Sequence, residues 1–254
     1  MSSQREEDLI HTFNGITFST RSSLELLKSL DTFDAREDDV LLVSYPKSGF
    51  RSWSCAIDLS PNLECMPSYL LPYHELSFSA IYIIRNPKDT AVSMYHYYRE
   101  NPNLPTIDTW PAFLEMFLKG DVVCGSWFDH ILSWEEHRND KNILLLFYED
   151  MKKDLPKVVK KMCLFLGVNI GDGEVKEVCK KSSFSEMKNN TEKENRDPSH
   201  TVCTLTSNRK LIFRKGAVGD WKNHFTPKQN RSFEEAFNKK MKCSEVAKHI
   251  VYES

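Results

Sequence analysis

Three segments of the chain set cations beside glycines or at strand ends, the arrangement that binds an anion. The first is VLLVSYPKSGFRSW, residues 40–53. An apolar run over 40–45 leads into Pro46-Lys47-Ser48-Gly49, and a helix is expected after it. Backbone N–H groups of such a loop point into one concavity. A helix N-terminus adds partial positive charge and Lys47 adds a full one, which together suit a phosphate. An ordinary turn with a solvated lysine fits the same residues. The lysine precedes the glycine, unlike GxxxxGK[ST], which weighs against an ATPase loop. The second segment is IYIIRNPKDTAVSMYHYY, residues 81–98, an apolar strand that ends at Arg85 and enters a helix. In a parallel sheet Arg85 then shares an edge with Lys47, and ligands bind along that edge. Ser93 follows about two helical turns later and can face the same anion. The third segment is IFRKGAVGDWKNHF, residues 212–225, where Arg214, Lys215 and Gly216 make a compact basic turn suited to a phosphate. Alone, that turn reads better as a solvated basic loop.

These residues need a frame. The runs 40–45, 81–84 and 143–148 are continuously apolar rather than alternating, as in parallel strands covered on both faces. Helical patterns are expected over 90–100, 109–119, 126–138 and 155–166. The last has Asp154 as its N-cap, Pro156 in its first turn and Gly167 just past its end. Residues 22–30 are weakly helical. Strands alternating with helices predict an α/β fold with a central parallel sheet flanked by helices. Residues 188–210 are polar, charged and poor in apolar side chains, which fits either a lid or a disordered surface loop.

Composition narrows the function classes. With 34 Lys plus Arg against 36 Asp plus Glu the net charge is -2, so a general nucleic-acid binder is not expected. No apolar run approaches the ~20 residues of a membrane helix, and the N-terminus has no signal-peptide core. Seven cysteines without a CxxC pair fit a reducing, cytoplasmic compartment, most of them as small buried hydrophobes.

In this order, PKSG, RNPKD with its downstream serine, and RKGxxGDW resemble the cytosolic sulfotransferases, which use 3′-phosphoadenosine 5′-phosphosulfate as donor. FYEDMKKDLPKVVKKMCLFLG and FRKGAVGDWKNHFT look like family segments almost throughout. The resemblance covers roughly residues 38–50 and 80–245. It implies one domain over 1–254, with a phosphate-binding strand–loop–helix. It implies that Lys47, Ser48 and Gly49 hold the 5′-phosphosulfate, with Lys47 also stabilising charge on the bridging oxygen. Arg85 and Ser93 would hold the 3′-phosphate, with Arg214, Lys215 and Gly216 on its other side. Trp53, Tyr148 and Phe184 would contact the adenine, with Ser182 nearby, and 188–210 would be the lid. The implied reaction is in-line sulfuryl transfer to a phenol, alcohol or amine of a small acceptor, with a histidine base and no metal. No nucleic acid or membrane partner is implied.

The chain departs from the family in places. It reads PKSGFRSW where members read PKSGTTW, one residue more between Gly49 and Trp53. The interval from Lys47 to Arg85 is about half the family's length, and the Lys-Thr-His motif that supplies the base is missing. His74 is the only histidine in that interval and is the candidate catalytic base; a surface or lining histidine is the other reading. Without a base, the chain would be a catalytically impaired nucleotide-binding isoform. A nucleoside or nucleotide kinase is disfavoured because no Mg²⁺-holding motif follows. Tyr97, Tyr98 and Phe128 line the acceptor pocket or pack the core. The family's KxxxTVxxxE dimer segment is altered to Lys222, Thr226, Pro227 and Arg231, so a dimer is possible but not by unchanged contacts.

Overall fold

The structure, a computed structural model, describes residues 9–29, 36, 38–49, 63–65, 78–183, 185–186 and 214–253. Its centre is a parallel sheet of β3 (Val40–Ser44), β4 (Leu63–Cys65), β5 (Ser79–Ile84) and β6 (Ile143–Phe147), in the order β4-β3-β5-β6. Register pairs Ser44 with Ile83 and Ile84 with Phe147, so all three long strands end at one level. The residues after them, Tyr45, Arg85 and Tyr148, therefore emerge at one edge.

Successive side chains of a strand point to opposite faces. Leu41, Val43, Tyr82 and Ile84 enter the larger core, with Phe113, Phe117 and Trp127. Val40, Leu42, Ile81 and Ile83 enter the smaller one, with Val158 and Met162. Both faces are covered, which is why the strands read as unbroken apolar runs.

The helices fall close to the sequence pattern. They are α2 (Pro87–Glu100), α3 (Trp110–Lys119), α4 (Trp127–Glu135) and α6 (Leu155–Phe165), with α1 (Leu24–Ser29) nearer the N-terminus. Asp154 caps α6 by accepting from the Lys157 N–H at 3.1 Å, and Gly167 ends it at φ 67. α2 begins three residues earlier than the pattern implies, because the Asn86 side chain accepts from the Asp89 N–H and Pro87 fits the first turn.

Several elements lack a counterpart in the sequence reading. β1 (Ile10–Phe13) and β2 (Ile16–Ser19) form an antiparallel hairpin. β4 adds a short edge strand, and α5 (Tyr148–Lys153), α7 (Asp172–Lys181) and α8 (Pro227–Lys240) are further helices. Short 3₁₀ turns run over Asp220–Asn223 and Val246–His249. Among the described residues, no helix is long and apolar enough to cross a membrane. Of the four cysteines whose burial is described, Cys163 is buried, Cys124 and Cys179 are half-buried, and Cys243 is exposed just past α8.

Candidate functional site

The site grows from the β3 loop. Lys47 and Gly49 both have positive φ, 69° and 90°, so the chain doubles back at once, closed by the Ser48 N–H bonding the Tyr45 carbonyl at 3.1 Å. Lys47 adopts this left-handed conformation without being glycine, a strained choice of the kind that marks functional turns. Its ammonium nitrogen lies 4.6 Å from the centre of the Tyr97 ring. Burial, then the nearby Arg85 and Arg214 guanidinium groups, push the Lys47 amine down to about 7. Burial also pushes the Tyr97 hydroxyl up to about 12.

Arg85, at the end of β5, is 6% exposed and joins three segments. One guanidinium nitrogen donates to the Lys47 carbonyl at 2.9 Å and another to the Ala217 carbonyl at 3.1 Å. The guanidinium also lies 4.5 Å from the centre of the Tyr148 ring, at the end of β6. Lys47, Arg85, Tyr148 and Arg214 are thus brought to one place, as parallel strand ends predict.

The basic turn is partly solvated, with Lys215 exposed, but its two cations are paired. Arg214 and Lys215 both bond the carboxylate of Asp220, which is 5% exposed. Burial alone would raise the Asp220 carboxyl, but bonds from Lys215, Asn223 and Arg214 outweigh it and hold the group well below the usual carboxylate range. Gly216 lies between them at φ 62. The Arg214 charge also reaches His96 on α2, whose imidazole is pushed down to about 4, first by burial and then by Arg214.

Beneath the cations lies a buried polar chain that the sequence did not single out. Asn86 donates its backbone N–H and its side-chain amide to Glu149 Oε1 at 3.0 and 2.9 Å. The same amide donates to Asp89 Oδ2 at 2.9 Å. Asp89 in turn accepts from the Gly219 and Trp221 N–H groups at 2.7 and 2.9 Å. Burial pushes the Glu149 carboxyl up. The signal for Asp89 was present, inside RNPKD, but its partners are remote in sequence.

Ser93 lies on α2 and Ser182 caps the end of α7. Tyr98 and Phe128 pack the core: the Val123 N–H donates to the Tyr98 hydroxyl, and Phe128 is fully buried against Trp127. Trp53, His74, Phe184 and the stretch 188–210 lie outside the described residues, as does the helix expected after Gly49.

Several polar atoms at this edge are buried and lack a hydrogen-bond partner among the described residues. They are Ser48 Oγ, Arg85 Nε and Arg214 Nε; Ser182 Oγ at the end of α7 is another, as are six further atoms that include Trp127 Nε1 of the core. Buried polar groups are almost always paired, and the three gathered beside Lys47 suit a polar ligand. Among the described residues no three His, Cys, Asp or Glu side chains gather as a metal-holding set.

Comparison with known proteins extends this picture. A family model described as "Sulfotransferase domain" matches residues 58–245. Sulfotransferase 6B1 of Danio rerio is 33% identical over 289 aligned positions, spanning 98% of this chain and 94% of its own. Amine sulfotransferase of Oryctolagus cuniculus is 34% identical over 271 positions, spanning 91% of this chain and 90% of its own. The crystal structure of mouse sulfotransferase SULT7A1 complexed with PAP matches at TM-score 0.86 and 51% identity, covering 94% of this chain and 96% of that one. Retinol dehydratase in complex with androsterone and inactive cofactor PAP shares the fold at TM-score 0.77 and 21% identity, covering 92% and 89%.

Proposed function

The chain belongs to the sulfotransferase family, and from that premise we propose that it transfers a sulfuryl group from 3′-phosphoadenosine 5′-phosphosulfate to a hydroxyl or amine of a small acceptor. One observation carries the assignment of the donor site. Of the ten buried side-chain atoms without a hydrogen-bond partner among the described residues, four, Ser48 Oγ, Arg85 Nε, Ser182 Oγ and Arg214 Nε, belong to residues that the family motifs assign to the donor. The similar SULT7A1 structure is complexed with PAP, which supports the same donor.

The donor supplies an activated sulfuryl group. The Lys47–Gly49 loop binds its 5′ end, and Lys47 holds negative charge at the bridging oxygen as the S–O bond breaks. Arg85 and Ser93 take the 3′-phosphate from one side, and Arg214, Lys215 and Gly216 from the other. Tyr148 lies against the base, with Trp53 and Phe184, and Ser182 sits close by. His74 accepts the acceptor proton. The segment 188–210 covers the acceptor. The protein acts as one domain in the cytoplasm, the compartment its cysteine spacing favours. A dimer is possible, but not by unchanged family contacts, because Pro227 and Arg231 alter that segment.

The test is turnover of sulfur-labelled donor with a panel of phenols, alcohols and amines, for the wild type and for His74→Ala. Labelled product from the wild type, falling about 100-fold or more in His74→Ala, is the expected result. Product formed equally by both proteins removes His74 from the role. Nucleotide binding with no product from any acceptor establishes the impaired isoform instead, and phosphoryl transfer from ATP with Mg²⁺ would establish a kinase.

A further inference from the structure

The 214–221 turn carries two of the site's cations, yet no regular element holds it until the 3₁₀ turn at Asp220–Asn223. It is fixed by side chains from the β5–α2 junction. Arg85 takes the Ala217 carbonyl, and Asp89 takes the Gly219 and Trp221 N–H groups with its two carboxylate oxygens. Between those two N–H groups lies Asp220, whose carboxylate bonds both Arg214 and Lys215. The placement of the two cations therefore runs through Asp220 to Asp89.

Asp89 is itself fixed. It is 1% exposed, sits in the first turn of α2, and accepts from the Asn86 amide, which is held by Glu149. Its neighbour Lys88 grips the next part of the turn. The Lys88 ammonium lies 4.3 Å from the Trp221 ring centre and 4.4 Å from that of Tyr252, and it bonds Asn230 and Glu234 of α8. Trp221 Nε1 also donates to the Tyr252 carbonyl at 3.0 Å. A carboxylate that accepts two main-chain N–H groups in a dry setting is a strong, directional anchor.

We infer that Asp89 is a positioning residue that sets the site's preference for a 3′-phosphorylated nucleotide, by fixing the turn that presents Arg214 and Lys215. The inference rests on the donor site proposed above. Asp89 acts through the turn, so its effect belongs to the 3′-phosphate and not to the rest of the nucleotide.

The experiment is a double-mutant cycle. Dissociation constants for 3′-phosphoadenosine 5′-phosphate and for adenosine 5′-phosphate are measured for the wild type, Asp89→Asn, Arg214→Ala and the double variant. An asparagine keeps one acceptor and turns an N–H toward an N–H, so it releases one end of the turn. The 3′-phosphorylated ligand should bind Asp89→Asn about tenfold more weakly, the scale of one hydrogen bond to a charged group, with the other ligand nearly unchanged. In the Arg214→Ala background the same substitution should cost about twofold or less. Equal losses for both ligands, or equal losses in both backgrounds, overturn the inference. If the wild type does not prefer the 3′-phosphorylated ligand, the donor-site reading fails first. A second measurement needs no variant: amide exchange in the wild type should protect the Gly219 and Trp221 N–H groups as strongly as those of α2. Exchange at the rate of an open loop there overturns the anchor even where Asp89→Asn does not fold.

Discussion

Lys47 combines a strained backbone, a buried amine and two arginine neighbours, and these give it a measurable signature. With its amine at about 7, Lys47 is largely neutral at pH 8. A bound phosphate favours the ammonium form, so binding must draw a proton onto Lys47. The sign follows: affinity for 3′-phosphoadenosine 5′-phosphate falls as pH rises above about 7, by up to about tenfold per unit. Titrations at pH 8 in two buffers of different ionisation heat should reveal uptake of most of one proton, lost in Lys47→Met. The ligand's phosphates are already fully ionised at that pH, their second pKa being about 6. Identical heats in both buffers would contradict this role. The cations of the site could be read from the sequence because charge at the end of an apolar strand is conspicuous. Asp89, Glu149 and Asp220 could not. A carboxylate in a charged run looks like a solvated one until its partner arrives, and the Gly219 N–H that Asp89 accepts from is 130 residues away.

At the scale of elements, the long strands and most helices were legible because their apolar periods and end residues agree. The β1–β2 hairpin was missed although its turn is Asn14-Gly15, a strong hairpin signal. Its strands are only four residues each, in a segment whose polar character dominated the reading. Both turn residues have positive φ, 49° and 77°. β4 is three residues long and carries too few positions for any period. Two glycines at element ends give a paired prediction. Gly15 has open space around its missing side chain, so Gly15→Ala should cost only the left-handed backbone, about 1 kcal/mol. Gly120 ends α3 at φ 88, and an added Cβ would meet the Ser126 Cβ at 2.9 Å. Ser126 caps α4, so Gly120→Ala should cost about 2–3 kcal/mol, backbone strain plus a displaced cap. Denaturant midpoints of the two variants would decide it; equal shifts would refute the argument.

At the scale of the molecule, four parallel strands bring widely separated segments to one edge. The sheet order itself was not legible, since apolar runs specify strands but not neighbours. The family was legible, because the three motifs recur in one order. The alignment with the Danio rerio relative extends over more positions than this chain's 254 residues, so it carries gaps in this chain. Whether the donor site works despite the short interval between Lys47 and Arg85 is the central question. The most direct measurement is calorimetric titration of the purified chain with 3′-phosphoadenosine 5′-phosphate and, in parallel, with ATP. Our account predicts binding of the first at least about a hundredfold tighter, reflecting the Arg85, Arg214 and Lys215 contacts to its 3′-phosphate. Equal binding of the two, or no binding of the first, would contradict it.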